Sequence, residues 1–199
     1  MTLGVSRYLG VNSYDTCATI MEPQRLFLTG EPGCGKTTAV RKTAELLILR
    51  GIGVGGILSG EIREGGRRVG FSLEDLVTHE KGTLARVGLQ GGPRVGKYGV
   101  NLYDIERIGV RAIERAVRDS EVIVADELGP MELFSTPFIQ AVEKGLASRK
   151  HFLGTIHKRA SHALTSSIKS NPKYIILEIT PENRDRMPTE IAQRIIANA

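Results

Sequence analysis

The eight residues Gly30 to Thr37 read Gly-Glu-Pro-Gly-Cys-Gly-Lys-Thr, which fits at every fixed position the G-x-x-x-x-G-K-[ST] pattern of a loop that cradles phosphate. Gly30, Gly33 and Gly35 let the backbone curl with its N–H groups turned inward, and the helix that follows adds its positive end. Glu31, Pro32 and Cys34 complete the loop. Lys36 supplies a full charge on a stem long enough for the β- and γ-phosphates, and Thr37 offers a hydroxyl to the accompanying magnesium ion. Thr38, one residue on, falls beside the α-phosphate. Such a loop binds a nucleoside triphosphate. The Cys34 thiol stands either exposed at the helix start, where nucleotide would shield it from alkylation, or buried as a small space-filler.

A second pair of residues extends the chemistry. The apolar run Glu121-Val122-Ile123-Val124-Ala125 leads into Asp126-Glu127, placing two carboxylates at the carboxyl edge of a buried strand, where open α/β sheets bind ligands. Asp126 suits the magnesium side, holding the ion through its water shell, and Glu127 points elsewhere and can polarise a water for attack on the γ-phosphate. An acidic strand end is common by itself, so the assignment rests on the phosphate loop in the same chain.

These residues need a sheet to hold them. Arg25 to Thr29 reads as a buried parallel strand before the loop, and Val40, Ala44 and Leu47 follow at helical spacing before Gly51. Val54–Ile62 and Arg67–Phe71, across Glu64-Gly65-Gly66, predict a β-hairpin. The Gly-rich stretch Leu84–Val100 resists placement beyond a strand near Tyr98–Leu102, and Ile105, Ile108, Ala112 and Ala116 trace one helix face over Asp104–Ser120. Thr136-Pro137 reads as cap and first position of a further helix. A strand over His151–Ile156, a helix over Ala160–Ser170, a strand over Lys173–Ile179 and a terminal helix with Ile191, Ile195 and Ile196 complete a doubly wound α/β pattern.

Composition bounds the partners. The chain has 199 residues, 27 basic and 22 acidic, net +5, a balance that phosphate ligands alone can explain; nucleic acid is permitted and not implied. It lacks Trp, and no basic run exceeds two residues, so little suggests a base-stacking surface. Two cysteines make neither a disulfide framework nor a metal cage, and no apolar run approaches a membrane span. A cytoplasmic monomer with no membrane contact is expected. Residues 1–22 read as an appended tail, with Met21 an alternative start, and residues 23–199 as a single P-loop NTPase domain.

The runs Glu64-Gly65-Gly66-Arg67-Arg68-Val69-Gly70-Phe71, Arg86-Val87-Gly88, Val95-Gly96-Lys97-Tyr98, Asp126-Glu127-Leu128-Gly129-Pro130-Met131-Glu132-Leu133-Phe134, Leu153-Gly154-Thr155-Ile156 and Glu182-Asn183-Arg184 occur in that order. Together they resemble the small nucleoside-triphosphatase family of thermophiles and animals. The resemblance covers Arg25 to Arg184 and implies a slow, magnesium-dependent hydrolase that releases the γ-phosphate of many nucleoside triphosphates. It also implies a RecA-like, three-layer, mostly parallel sheet in which the Thr155 strand lies between the Gly30 and Asp126 strands. Thr155 would then face the γ-phosphate and hydrogen-bond the attacking water, or merely end its strand. His157, Lys158 and Arg159 would begin the next connection, with Arg159 a candidate cis arginine finger or a solvated loop residue. Glu132 reads as a helix-start or orienting residue before a second base. Asn183 and Arg184 lie beside the base or ribose, or cap a helix. Leu58-Ser59-Gly60 departs from the family pattern, which leaves any substrate contact from that strand open. Two other classes stay open: a kinase passing the γ-phosphate to a nucleotide, nucleoside or polynucleotide end, and an ATPase switch regulated by a partner or RNA.

Overall fold

The computed structural model describes residues 22–158 and 160–198; the expected tail falls outside them apart from Glu22, and Arg159 lies outside them as well. Among the described residues one nine-stranded sheet is formed, in the order β5 (Arg94–Val95), β6 (Tyr98–Val100), β4 (Lys81–Val87), β3 (Arg67–Asp75), β2 (Val54–Glu64), β7 (Val122–Leu128), β8 (His151–Ile156), β1 (Arg25–Thr29), β9 (Ile175–Glu178). Its parallel half comprises β1 (Arg25–Thr29), β2 (Val54–Glu64), β7 (Val122–Leu128), β8 (His151–Ile156) and β9 (Ile175–Glu178). As expected, β8 lies between β1 and β7, so the loop after β1 and the carboxylates of β7 share one sheet edge on either side of Thr155.

Alternation along the strands divides the core into two layers. Leu26 and Leu28 of β1 pack with α1 (Lys36–Ile48) and α6 (Met187–Ile196), while Phe27 between them packs on the other face. That second face is covered by α3 (Arg111–Asp119), α4 (Thr136–Ala147) and α5 (Ala163–Ser170), through Ala112, Phe138 and Ile168 among others. Sheet strands buried on both sides read as continuous apolar runs, as Val122 to Ala125 do.

The predicted hairpin is the beginning of a larger structure. β2 runs out of the parallel half into a long antiparallel pairing with β3 (Arg67–Asp75), and β4 (Lys81–Val87), β6 (Tyr98–Val100) and β5 (Arg94–Val95) continue outward as a wing. The expected helix over Asp104–Ser120 is divided into a short α2 (Leu102–Asp104), a π-helical segment (Ile105–Val110) and α3. Its start is tied to the wing, because the Asp104 carboxylate accepts from the Thr83 backbone N–H at 2.9 Å and from Asn101 Nδ2 at 2.9 Å. The cap of α4 is Ser135, one residue before the expected Thr136: its Oγ accepts from the Phe138 N–H at 3.2 Å, and Pro137 takes a first-turn position where no N–H is needed.

Candidate active site

The phosphate loop closes tightly on itself. Gly30 adopts φ 146°, and a Cβ there would come within 2.5 Å of the Ile179 carbonyl oxygen and 2.8 Å of Cys34 Sγ, so no side chain fits. That places the Cys34 thiol behind the loop; it is buried, and the space-filling alternative describes it. Glu31, Pro32 and Gly33 are exposed, as is Thr38. Lys36 Nζ lies over the loop and donates to the carbonyls of Gly30 at 3.0 Å and Glu31 at 3.1 Å. On the loop's flank, Lys158 Nζ bridges Glu31 Oε1 at 3.0 Å and Glu178 Oε1 at 3.1 Å.

Asp126 is the hub of the site and is almost wholly buried. Its Oδ1 accepts from Thr155 Oγ1 at 2.7 Å and Thr37 Oγ1 at 3.3 Å, and its Oδ2 from Ser59 Oγ at 2.9 Å and the Ser59 N–H at 3.3 Å. Burial pushes its pKa up against the opposing pull of those hydroxyls. Thr37 and Asp126 therefore meet as two hard oxygen donors at the end of the phosphate loop, a donor set that fits magnesium. Thr155, fully buried, spends its hydroxyl hydrogen on Asp126, which makes it a partner of the carboxylate. Ser59 is the site residue that sequence reasoning missed. Its signal lay in the pairing of β2 with β7, Ile57 opposite Ala125, which carries the β2 chain past the Asp126 side chain.

Glu127 follows across a cis peptide bond. Among the described residues its Oε1 is the buried side-chain polar atom with no hydrogen-bond partner, and an unpaired buried acceptor calls for an explanation by function. Burial raises its pKa, the nearby Asp126 raises it further, and Lys36 lowers it. Beside it Glu132, 5 % exposed, accepts from the Gly129 N–H at 3.2 Å through Oε2. Burial first, then the charge of Glu127, pushes Glu132 up to about 8, so at neutral pH Glu132 is protonated.

On the far side of the loop the two base-side candidates part company. Asn183 closes its own turn, accepting from the Thr180 N–H at 2.9 Å and donating to the Glu178 carbonyl at 2.8 Å. Arg184 lies against the loop itself, its Cδ 3.5 Å from where a Cβ on Gly35 would stand.

A family model described as NTPase matches residues 25–192. The nucleoside-triphosphatase THEP1 of Thermofilum pendens is 49% identical over 176 residues, which is 88% of this chain and 97% of the relative. THEP1 of Methanocaldococcus jannaschii is 42% identical over 173 residues, 87% of this chain and 98% of that protein. Two solved structures share the fold: the crystal structure of THEP1 from Aquifex aeolicus, at TM-score 0.77 and 31% identity over 86% of this chain and 99% of that one, and the solution structure of a human cancer-related nucleoside triphosphatase, at TM-score 0.74 and 35% identity over 88% and 99%. With the P-loop fold, the Asp126-Glu127 edge and these relatives in agreement along nearly its whole described length, the chain belongs to the nucleoside-triphosphatase family.

Proposed function

We propose that this chain hydrolyses nucleoside 5′-triphosphates to the diphosphate and phosphate, with magnesium and with loose preference for the base. The observation that carries the reading is the unpartnered, buried Glu127 Oε1 one residue from a carboxylate that touches the phosphate-loop threonine. Lys36 and the loop amides bind the phosphates, and Thr37 and Asp126, whose side-chain oxygens meet at 3.3 Å, would hold the ion. The ion, when bound, neutralises charge on the β- and γ-phosphates. Glu127 orients a water and takes its proton as oxygen attacks the γ-phosphorus. Loose base preference is supported by Arg184, whose flat guanidinium stacks on any base, and by relatives named for the triphosphate rather than for a base. The reading places the enzyme as a monomer in the cytosol, where a free thiol such as Cys34 stays reduced. Among the described residues no helix is long and apolar enough to cross a membrane.

The test is phosphate release beside equilibrium nucleotide binding in Glu127→Gln. The amide keeps size and reach and takes no proton, so Mg-ATP affinity should persist while turnover falls about 10²–10⁴-fold. Turnover at the parental rate would refute the role of Glu127.

A further inference from the structure

Hydrolysis needs room for one water at Glu127, and the structure provides far more. A cavity of about 350 Å³ opens beside this carboxylate, roughly ten times the ~30 Å³ share of a water in the liquid and within the size range of small-ligand sites. Its walls are built by the antiparallel wing, with Phe71 of β3, Leu84 of β4, Val95 of β5 and Tyr98 of β6, together with Pro130 and Met131 from the turn after β7. Phe71 and Tyr98 meet edge to face at 5.2 Å between ring centres, and Arg68 holds the Phe71 ring from 4.9 Å, so the aromatic wall is set in place. The polar end of the cavity is formed by Glu127, Glu132 and Ser59. Arg184, by contrast, packs on Gly35 at the start of α1 and takes no part in lining this cavity. With Arg184 read as the base-side residue, the cavity lies toward the γ-phosphate end of the site.

We propose that this cavity is an acceptor subsite for an uncharged hydroxyl compound with an apolar ring, and that the chain transfers the γ-phosphoryl group to it as well as to water. The proposal rests on the reading that a nucleoside triphosphate occupies the phosphate loop. A preference for a neutral acceptor follows from the lining: the described residues that form it include Glu127, Glu132 and His157 and no lysine or arginine, so an acceptor that already bears a phosphate would meet the Glu127 carboxylate with no permanent cation among them. The ring follows from the aromatic and aliphatic walls, and the hydroxyl from the partnerless Glu127 Oε1, which accepts an O–H. In the step, the acceptor oxygen forms a bond to the γ-phosphorus as the bond from that phosphorus to the β–γ bridging oxygen breaks. The nucleoside diphosphate leaves, and the hydroxyl proton passes to the Glu127 carboxylate. With the subsite unfilled, a water takes the same position and phosphate is released.

The experiment uses the full chain with Mg-ATP labelled at the γ-phosphate. Three neutral probes, 4-fluorobenzyl alcohol, 1-naphthalenemethanol and thymidine, are set against anionic thymidine monophosphate, with label followed into organic ester and into free phosphate. At least one neutral probe should acquire label, with at least a tenfold preference over thymidine monophosphate. Val95→Arg, which brings charge onto the distal wall, and Met131→Trp, which fills the cavity, should each lower the ratio of ester to phosphate at least tenfold. Fluorine NMR of 4-fluorobenzyl alcohol with protein and a non-hydrolysable ATP analogue should show line broadening that both variants abolish. Free phosphate with no labelled ester from any neutral probe would overturn the acceptor subsite and leave the hydrolase standing. Transfer to thymidine monophosphate alone, or ester formation unchanged in both variants, would overturn it as well. Absence of both phosphate release and ester would instead sink the underlying nucleotide reading.

Discussion

Glu132 carries a cost that can be measured through pH. Unfolded, its carboxyl titrates at the ordinary glutamate value of 4.5, whereas in the folded chain burial and the charge of Glu127 hold it protonated to about 8. Between those two pH values the unfolded chain has released a proton that the folded chain keeps. The unfolded state therefore binds fewer protons, and stability falls as pH rises. At about 1.4 kcal/mol per pH unit the interval amounts to at most about 5 kcal/mol, present in full above pH 8 and absent below 4.5. A domain holds about 5–15 kcal/mol in all, so one side chain would consume a large share under alkaline conditions. Glu132→Gln keeps an oxygen to accept the Gly129 N–H and removes the ionisation. Urea unfolding of both proteins at pH 5, 7 and 9 should show the variant gaining on the parent with each step, by about 2–5 kcal/mol over the range. Asp126 and Glu127, also raised, slope the same way in both proteins and largely cancel in the comparison. Stability curves that run parallel from pH 5 to 9 would refute a buried, protonated Glu132.

Lys36→Ala removes a charge-assisted contact to phosphate worth about 1.5–3 kcal/mol, so affinity for a fluorescent ATP analogue should fall at least tenfold by titration. Asp126→Asn should weaken the magnesium dependence of nucleotide binding as well as turnover, in contrast to Glu127→Gln; a metal titration midpoint equal to the parent's would remove Asp126 from the ion's shell. Thr155→Val preserves shape and deletes the 2.7 Å bond to Asp126, and should cost about 1–3 kcal/mol in urea unfolding. With its thiol buried behind the loop, Cys34 should react with N-ethylmaleimide far more slowly in the folded chain than in urea, and equally slowly with and without Mg-ATP; nucleotide-dependent protection would show that the loop opens.

The parts of the site that could be read in the chain are those whose physics is local. The phosphate loop needs glycines and a lysine within eight residues, and a buried strand ending in Asp126-Glu127 declares itself by composition. Ser59 was hidden because its role depends on the register of β2 against β7, a pairing between segments some 67 residues apart. The wing was hidden for a related reason. Gly82, Gly88, Gly91, Gly92, Gly96 and Gly99 interrupt the alternation that marks a strand, yet Gly99 must approach the Leu89 carbonyl so closely that a Cβ would stand 2.1 Å from its oxygen. Gly82, Gly92 and Gly99, where a Cβ would meet neighbouring atoms under 3 Å away, are thus what lets this region pack, while Gly88, Gly91 and Gly96 take positive φ. Asn183 was ambiguous, since a polar residue after Pro181-Glu182 suits a ligand and a turn equally; in the structure its side chain closes the turn.

The arrangement around Asp126 also explains why two adjacent carboxylates can differ in role. Asp126 has its oxygens engaged by three hydroxyls and an amide from α1, β2 and β8, so the sheet fixes its orientation and it is suited to hold an ion's water shell in one place. Glu127 has a buried oxygen with no such partner, so its hydrogen-bonding capacity is available to a reactant, and the desolvation that raises its pKa makes it a stronger base. Stripping the partners from Asp126 would make the two residues alike and would leave two unpaired charges side by side in a poorly solvated edge, a state whose repulsion is relieved by protonating one of them. On the proposed reading the hydroxyls of Thr37, Ser59 and Thr155 serve Glu127 indirectly: by opposing the burial that raises the Asp126 pKa, they favour the charged form of Asp126 beside the carboxylate proposed to accept the proton.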